Sequence, residues 1–284
     1  QIKESLFLLL LQKREEASIN YAVTKPSIKI IDSALTNSVP VAPRRALIYL
    51  GSIILGILVP TFCLYLWFLS DTKIHTREHL AKAIKNTPII GEIPNILDKN
   101  ILTAIAPSNS RDPLAESVRM IIANLNFILF NDGSSSKKNN LILITSSIKG
   151  EGKTIVSVNT ALALSTKFAK VLLIGADLRN PQIHKFLELD KNIKGLSDYI
   201  YKDDLNWKDL IIKKNKLDFI LSGKIPPNPT ELLSSKKFEN FINEVKKSYD
   251  YVIIDSAPCL LVSDTFEISK YVDTTLYVVR SNYS

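Results

Sequence analysis

Leu141-Ile142-Leu143-Ile144 leads into Ser147-Ile148-Lys149-Gly150-Glu151-Gly152-Lys153-Thr154, and Ile155 to Leu164 follows with a helix-like pattern. An apolar strand, a turn with two glycines, Gly-Lys-Thr and a helix start make the layout of a phosphate-binding P-loop. Glycine lets backbone N–H groups crowd around a polyphosphate, and the helix N-terminus adds partial positive charge. Lys153 is expected to reach the β/γ-phosphates of ATP or GTP, and the Thr154 hydroxyl to ligand Mg²⁺. The candidate nucleotide-binding residues are therefore Ser147, Gly150, Glu151, Gly152, Lys153, Thr154 and Ile155. Ser147 stands where the usual pattern has glycine.

Outward from this loop the chain alternates strand and helix. Apolar runs at 141–144, 171–174, 219–221, 252–254 and 275–279 read as strands, and 155–169 and 234–248 as helices between them. Continuous apolar strands with helical crossovers predict an α/β fold: a P-loop NTPase-type parallel sheet with helices on both faces. Ligands on such sheets bind at the C-terminal strand ends. Two acids fall there, Asp177 in Val171–Pro181 and Asp255 in Tyr251–Pro258, with Arg179 beside the first. Beside Lys153 and Thr154, this pair is placed to hold Mg²⁺ and its waters, with Thr154, Asp177 and Asp255 as the metal set. Taken singly, Asp177 also reads as a helix N-cap and Asp255 as a solvated turn.

Ala46 to Leu69 contains no charge. As a helix, 24 residues span about 36 Å, enough to cross a hydrocarbon core of ~30 Å with some tilt. Tyr65 and Trp67 suit an interfacial belt, and Pro60 is expected to kink the helix. Arg44 and Arg45 on one flank balance Lys73, Arg77, Lys82 and Lys85 on the other, so charge does not orient the span. The nucleotide does: Mg-ATP is cytoplasmic, which puts the P-loop side inside and residues before about 45 outside.

The 284 residues, 46% apolar, suffice for one α/β domain and one span. A net charge of +8 raises nucleic acid as a partner, but the basic residues are scattered with no aromatic-interleaved stripe. A membrane protein facing anionic lipid needs the same bias, so nucleic-acid binding is set aside. Cys63 lies in the span and Cys259 after a strand, and His75, His79 and His184 have no ligand-like spacing with them. Neither a disulfide framework nor a His/Cys metal site is indicated. The chain opens on Gln1 and has Met120 as its only methionine, so it reads as a piece of something longer. The organisation expected is an outer helix and Pro-rich linker (1–45), the transmembrane helix (46–69), a juxtamembrane linker (70–105) and a nucleotide-binding domain (106–284). That domain includes a helix at 111–130, whose Leu114, Val118, Ile121, Ile122, Leu125 and Ile128 share a face, and a surface turn at 131–140.

The set SIKGEGKT, LLIGADLRNP, GLSDYI (195–200), SGKIPPNPTELLSS (222–235) and YVIIDSAP resembles the bacterial tyrosine kinases of polysaccharide co-polymerase type. The resemblance runs the length of the chain. It implies an ATP- and Mg²⁺-dependent autokinase of the bacterial inner membrane, with a periplasmic N-terminal segment and a cytoplasmic kinase domain. Its implied partners are neighbouring copies of itself and the machinery of polysaccharide polymerisation and export. Lys153 and Thr154 keep the roles above, Asp177 belongs to a second Walker-type motif, Asp255 is the Walker B acid, and Arg179 lies near the phosphates or the incoming tyrosine. Glu116 and Arg119 align with a helix that docks onto the next protomer.

Three departures stand out. Gly175 occupies a position where the family pattern has Asp, so either Asp177 serves as both metal ligand and base, or the chain binds ATP with crippled phosphotransfer. Ile122 replaces a second basic residue on the docking helix. The tyrosine-rich C-terminal tail is absent, and Tyr283 is the only tyrosine near the end. Two other readings stay open: a catalytically weak co-polymerase scaffold, and a partitioning-type ATPase, against which Ile148 stands where those proteins place lysine.

Overall fold

The computed structural model describes residues 2–23, 42–85, 87–95, 112–130, 140–165, 169–190, 192–214 and 216–284. The chain forms two compact units, Gln1–Asp71 and Thr72–Ser284. Most of the Pro-rich linker, the second half of the juxtamembrane segment and the turn at 131–139 lie outside the described residues.

The first unit holds helices α1 (Ile2–Val23) and α2 (Arg45–Ser70). α2 brackets the expected span, contains Pro60 and buries no residue. It is the one described helix long and apolar enough to cross a membrane, with a mean hydropathy of 2.3 over its best window. Leu50, Leu58, Phe62 and Trp67 are all more than half exposed. A helix apolar all round, with no buried residue, is suited to lipid as its solvent.

The second unit begins with α3 (Arg77–Ala83) and α4 (Pro113–Phe130). It continues through β1 (Asn140–Ser146), α5 (Lys153–Ser165), β2 (Val171–Gly175), α6 (Ile183–Leu187) and α7 (Leu196–Tyr201). A 3₁₀ turn (Trp207–Leu210) precedes β3 (Ile212–Lys214) and β4 (Leu217–Ile220). Then come α8 (Pro229–Leu233), α9 (Lys236–Ser248), β5 (Tyr251–Asp255), α10 (Asp264–Ser269) and β6 (Thr274–Val278). The sheet order is β3-β4-β2-β5-β1-β6.

Five strands are parallel, but β3 pairs antiparallel with β4, so the expected all-parallel sheet has one reversed edge. Ile-Lys-Lys has a single apolar residue and no readable period, which is why it escaped the pattern. The central strands carry the register Leu141↔Val252 and Leu172↔Val252, and their alternate residues feed two cores. On one face α4, α5 and α6 cover Ile142, Ile144, Leu173 and Ile253. On the other α7, α8, α9 and α10 cover Leu141, Leu143, Leu172 and Ile254.

On α4, Leu114, Val118, Ile121, Ile122 and Leu125 are buried as their spacing predicts, but Ile128 is partly exposed at the helix end. Ile122, standing in place of a basic residue, is a core side chain at 1% exposure. The juxtamembrane segment is less of a linker than expected. Ile90 and Ile93 pack on the first core, Asn124 Nδ2 donates to the Ile90 carbonyl (2.7 Å), Asn282 N–H donates to the Ile74 carbonyl, and Ile74 N–H donates to the Ser284 carbonyl.

Candidate functional site

The loop from Ser147 to Gly152 joins the end of β1 to the start of α5 at the C-terminal edge of the sheet. Gly150 and Gly152 take φ of +95° and +98°, where an L side chain is strained and glycine is not. These two turns let the chain double back before α5 begins at Lys153. Val156 N–H donates to the Gly152 carbonyl (3.1 Å) and closes the first helical turn.

Four predicted residues converge here. Lys153 Nζ lies 2.8 Å from Asp177 Oδ2. Thr154 Oγ1 donates to Asp255 Oδ2 (2.8 Å), and Ser157 Oγ, one turn further along α5, donates to Asp255 Oδ1 (3.1 Å). The other Asp177 oxygen accepts from Asn180 N–H (2.8 Å), and Ala176 N–H donates to the Asp255 carbonyl (2.8 Å), tying the two strand ends together. Asp177 and Asp255 are 3% and 1% exposed, so two carboxylates and one ammonium share a dry pocket. Burial pushes the Asp255 carboxyl above its ordinary value, against the pull of Lys153 and the two hydroxyls. Burial works against the Lys153 ammonium, but Asp255 and Asp177 outweigh it and the net shift is upward.

Other predicted residues do different work. Arg179 does not turn toward Lys153: its Nε and Nη2 clasp Asp264 of α10 at 2.8 and 3.0 Å, and Nη2 also reaches Thr230 Oγ1 (3.2 Å). Thr230 in turn donates to Asp264 (2.5 Å), so the PPNPTELL motif, the Asp177 loop and α10 meet at one fully buried carboxylate. Glu151 is a staple: it accepts from Ile148 N–H (2.7 Å) and from the Ser284 hydroxyl. Ser147 Oγ pairs with Tyr277 OH at 2.7 Å. Ile155 sends its side chain to the first core. Glu116 and Arg119 pair with each other on α4.

Gly175 ends β2 opposite Asp255. A Cβ there would stand 2.7 Å from Ser222 Oγ and 3.1 Å from Ser222 N. A side chain at 175 would press on Ser222, whose hydroxyl would have to turn aside to admit it.

Ser157, Thr230 and Asp264 were not singled out from sequence. Ser157 had a signal, since it follows Thr154 by three residues and shares its helical face. Asp264 had none, because it meets Arg179 across 85 residues.

The donor set around Lys153 is all oxygen: Thr154 and Ser157 hydroxyls, Asp177 and Asp255. Hard oxygen donors suit Mg²⁺, which keeps waters and substrate phosphate oxygens rather than a full protein cage. Consistent with that, the described residues contain no cluster of three His, Cys, Asp or Glu able to hold a metal alone.

The family described as "AAA domain" matches residues 139–277, and the one described as "G-rich domain on putative tyrosine kinase" matches residues 1–66. Tyrosine-protein kinase wzc of Salmonella typhi is 31% identical over 291 residues, covering 98% of this chain and 40% of that protein. Tyrosine-protein kinase etk of Escherichia coli K12 is 29% identical, covering 97% and 40%. The chain therefore spans about two fifths of the length of these curated relatives. Among solved structures, the chimerical protein CapA2B2 is 31% identical with a TM-score of 0.64, covering 74% of this chain and 87% of that one. The kinase domain of Escherichia coli tyrosine kinase ETK is 31% identical with a TM-score of 0.57, covering 73% and 76%. With this identity over most of a solved kinase domain, and relatives aligned through the membrane helix as well, the chain is a member of the bacterial tyrosine-kinase family.

Proposed function

We propose that this chain is the membrane-anchored ATP-dependent kinase part of a polysaccharide co-polymerase, transferring the ATP γ-phosphoryl to tyrosines of neighbouring copies. One observation carries the reading: the P-loop cation and hydroxyl, Lys153 and Thr154, are each bonded to a strand-end carboxylate, Asp177 and Asp255, in one buried pocket. That is the equipment of phosphoryl transfer, where the protein supplies position and charge more than covalent chemistry.

In this reading the Lys153 ammonium leaves Asp177 for the β/γ-phosphates, and Gly150 and Gly152 shape the backbone cradle around them. Mg²⁺, bound with the nucleotide, would be held by Thr154, Asp177 and Asp255 and would supply neutralisation of phosphate charge. A tyrosine hydroxyl titrates near 10, so its proton needs a carboxylate close by. Asp177, once released from Lys153, is the group in place to take it. Arg179 acts at one remove, holding the Asp177 loop to α10. The named relatives are tyrosine-protein kinases, and one solved neighbour is a tyrosine kinase domain. This family membership favours ATP as the nucleotide, and the proposed partners are further copies and the capsule or exopolysaccharide polymerisation and export machinery. Cytoplasmic ATP would put Thr72–Ser284 on the cytoplasmic side of the inner membrane and the segment before the span in the periplasm.

The test is phosphotyrosine on the intact protein in membranes given Mg-ATP, beside Lys153→Met. Signal in the parent that disappears in Lys153→Met supports the kinase; signal unchanged in Lys153→Met overturns it. A second reading, an ATP-binding scaffold with feeble transfer, is favoured by Gly175, where a side chain would press on Ser222. It predicts saturable Mg-ATP binding with no phosphotyrosine in the parent.

A further inference from the structure

The head of α10 touches both strand ends that carry the metal-site acids. On the β5 side, Thr265 Oγ1 donates to the Ala257 carbonyl (2.6 Å) and lies 3.3 Å from Ser256 Oγ, just past Asp255. That strand end is itself tied to β1, since Ser256 N–H and Oγ both donate to the Ile144 carbonyl at 3.1 Å. On the β2 side, Asp264 takes the guanidinium fork of Arg179, two residues past Asp177, at 2.8 and 3.0 Å. Thr230, from the PPNPTELL motif, donates to the same carboxylate (2.5 Å). Neighbouring residues of one short helix thus hold one acid's loop each.

The two acids are not held equally. Asp255 closes a central strand and keeps the Thr154 and Ser157 hydroxyls on its oxygens. Asp177 lies past the end of β2. Among the described residues, the polar contacts that carry Asp177–Arg179 to other elements run from Asp177 to Lys153 and from Arg179 to Asp264 and Thr230. When Lys153 leaves for phosphate, the grip on Asp264 is the polar tie that remains. We infer that Asp264 is a positioning residue of the metal site: braced on β5 by Thr265 and completed by Thr230, it sets the separation of Asp177 from Asp255. The inference rests on the Mg-nucleotide part of the proposed function and not on transfer to tyrosine.

Mg²⁺ demands near-octahedral geometry at about 2.0–2.1 Å and tolerates little play in its ligands. Two acids delivered by different strand ends meet that demand only if the distance between them is fixed. A guanidinium fork on a carboxylate fixes angle as well as distance, because two parallel bonds resist swivelling. The Asp264 side chain is fully buried while that of Arg179 is 43% exposed, so the carboxylate is the fixed half and Arg179 the arm that reaches it. The PPNPTELL motif thereby gains a place in the site without touching the nucleotide. Its Thr230 occupies a further lone pair of Asp264 and holds that carboxylate toward Arg179.

The test is binding of fluorescent ADP to the intact protein in detergent, titrated with Mg²⁺ and repeated in EDTA. Three variants weaken the bridge: Asp264→Asn, Thr265→Val, and Arg179→Lys, which keeps the charge and loses the fork. Each should lower Mg²⁺ affinity of the ADP complex by roughly tenfold while changing metal-free ADP affinity less than about twofold. Thr265→Ser, which keeps the hydroxyl, should match the parent. A role in folding alone would lower both affinities together, because unfolded chain binds neither ligand. Equal losses with and without Mg²⁺, or an unchanged Mg²⁺ dependence in the variants that fold, overturn the inference. If Asp264→Asn gives no folded protein, Arg179→Lys at the exposed end of the pair and Thr265→Val decide it. A parent whose ADP binding ignores Mg²⁺ removes the metal reading and the inference together. Mg²⁺-dependent binding without phosphotyrosine removes the kinase reading and leaves the inference standing.

Discussion

Lys153 Nζ is bonded to Asp177 Oδ2 at 2.8 Å, across 24 residues, with both side chains at or below 10% exposure. The P-loop cation therefore rests on the carboxylate of the second strand end. A bound phosphate would have to displace that carboxylate to gain the lysine.

Lys153→Met leaves Asp177 and Asp255 buried together without their cation. It should abolish phosphotransfer and also lower the stability of the free protein by about 2–4 kcal/mol at neutral pH, read by denaturant unfolding. Asp255 already sits above its ordinary value, and removing the ammonium pushes it further the same way. A carboxyl raised on folding binds more protons in the native state, so the deficit should shrink as pH falls toward the ordinary carboxylate range. A deficit that widens in acid contradicts this.

Arg179 and Asp264 make the opposite prediction. Burial pushes the Asp264 carboxyl up, but the hydrogen bonds from Arg179 and Thr230 prevail and hold it below 3.8. Its contribution is then complete above 3.8 and disappears as pH falls through the lowered value. Asp264→Asn should cost about 2–3 kcal/mol at pH 7, with the gap to the parent closing only in strong acid. Arg179→Ala, which leaves the carboxylate buried with Thr230 and a backbone N–H but no cation, should cost at least as much.

Gly175→Asp on its own forces a side chain against Ser222. An expected loss of about 1–3 kcal/mol follows from overpacking, measured as a lowered unfolding midpoint. Adding Ser222→Ala removes the hydroxyl at 2.7 Å and should return part of that stability. If a second acid is what the site lacks, phosphotyrosine rises in the double variant and not in Gly175→Asp alone.

Ser157→Ala removes one of the two hydroxyls on Asp255. Loss of a hydrogen bond to a buried carboxylate should cost about 1–2 kcal/mol, and the loosened acid should reduce Mg²⁺-dependent nucleotide affinity by roughly tenfold. Thr154→Val should reduce it further, because that hydroxyl is itself a proposed ligand. Titrations of ADP with and without Mg²⁺ separate the two.

What could be read from sequence was what repeats with a period or sits in a compact motif. The five parallel strands, α4, α5, α9 and the span were legible from their apolar runs and spacing, and the convergence of Lys153, Thr154, Asp177 and Asp255 because a P-loop turn and two strand ends meet at one sheet edge. The pairing of Arg179 with Asp264 was not, since nothing local to either residue announces a partner 85 positions away. Short helices such as α6, α8 and α10, of five or six residues, hold too few turns for a period to emerge. The packing of Ile90 and Ile93 against the first core was hidden by the mixed, largely aperiodic composition around them.

Thr154 and Ser157 hold the two oxygens of Asp255, one turn apart on the same helix. Two fasteners on one carboxylate prevent α5 from pivoting about β5: the helix can advance or retreat only if the strand end travels with it. Any shift of α5 would thereby bear on Ser256 and Ala257, whose polar atoms hold Thr265 at the head of α10. The far face of the sheet would register the nucleotide without touching it.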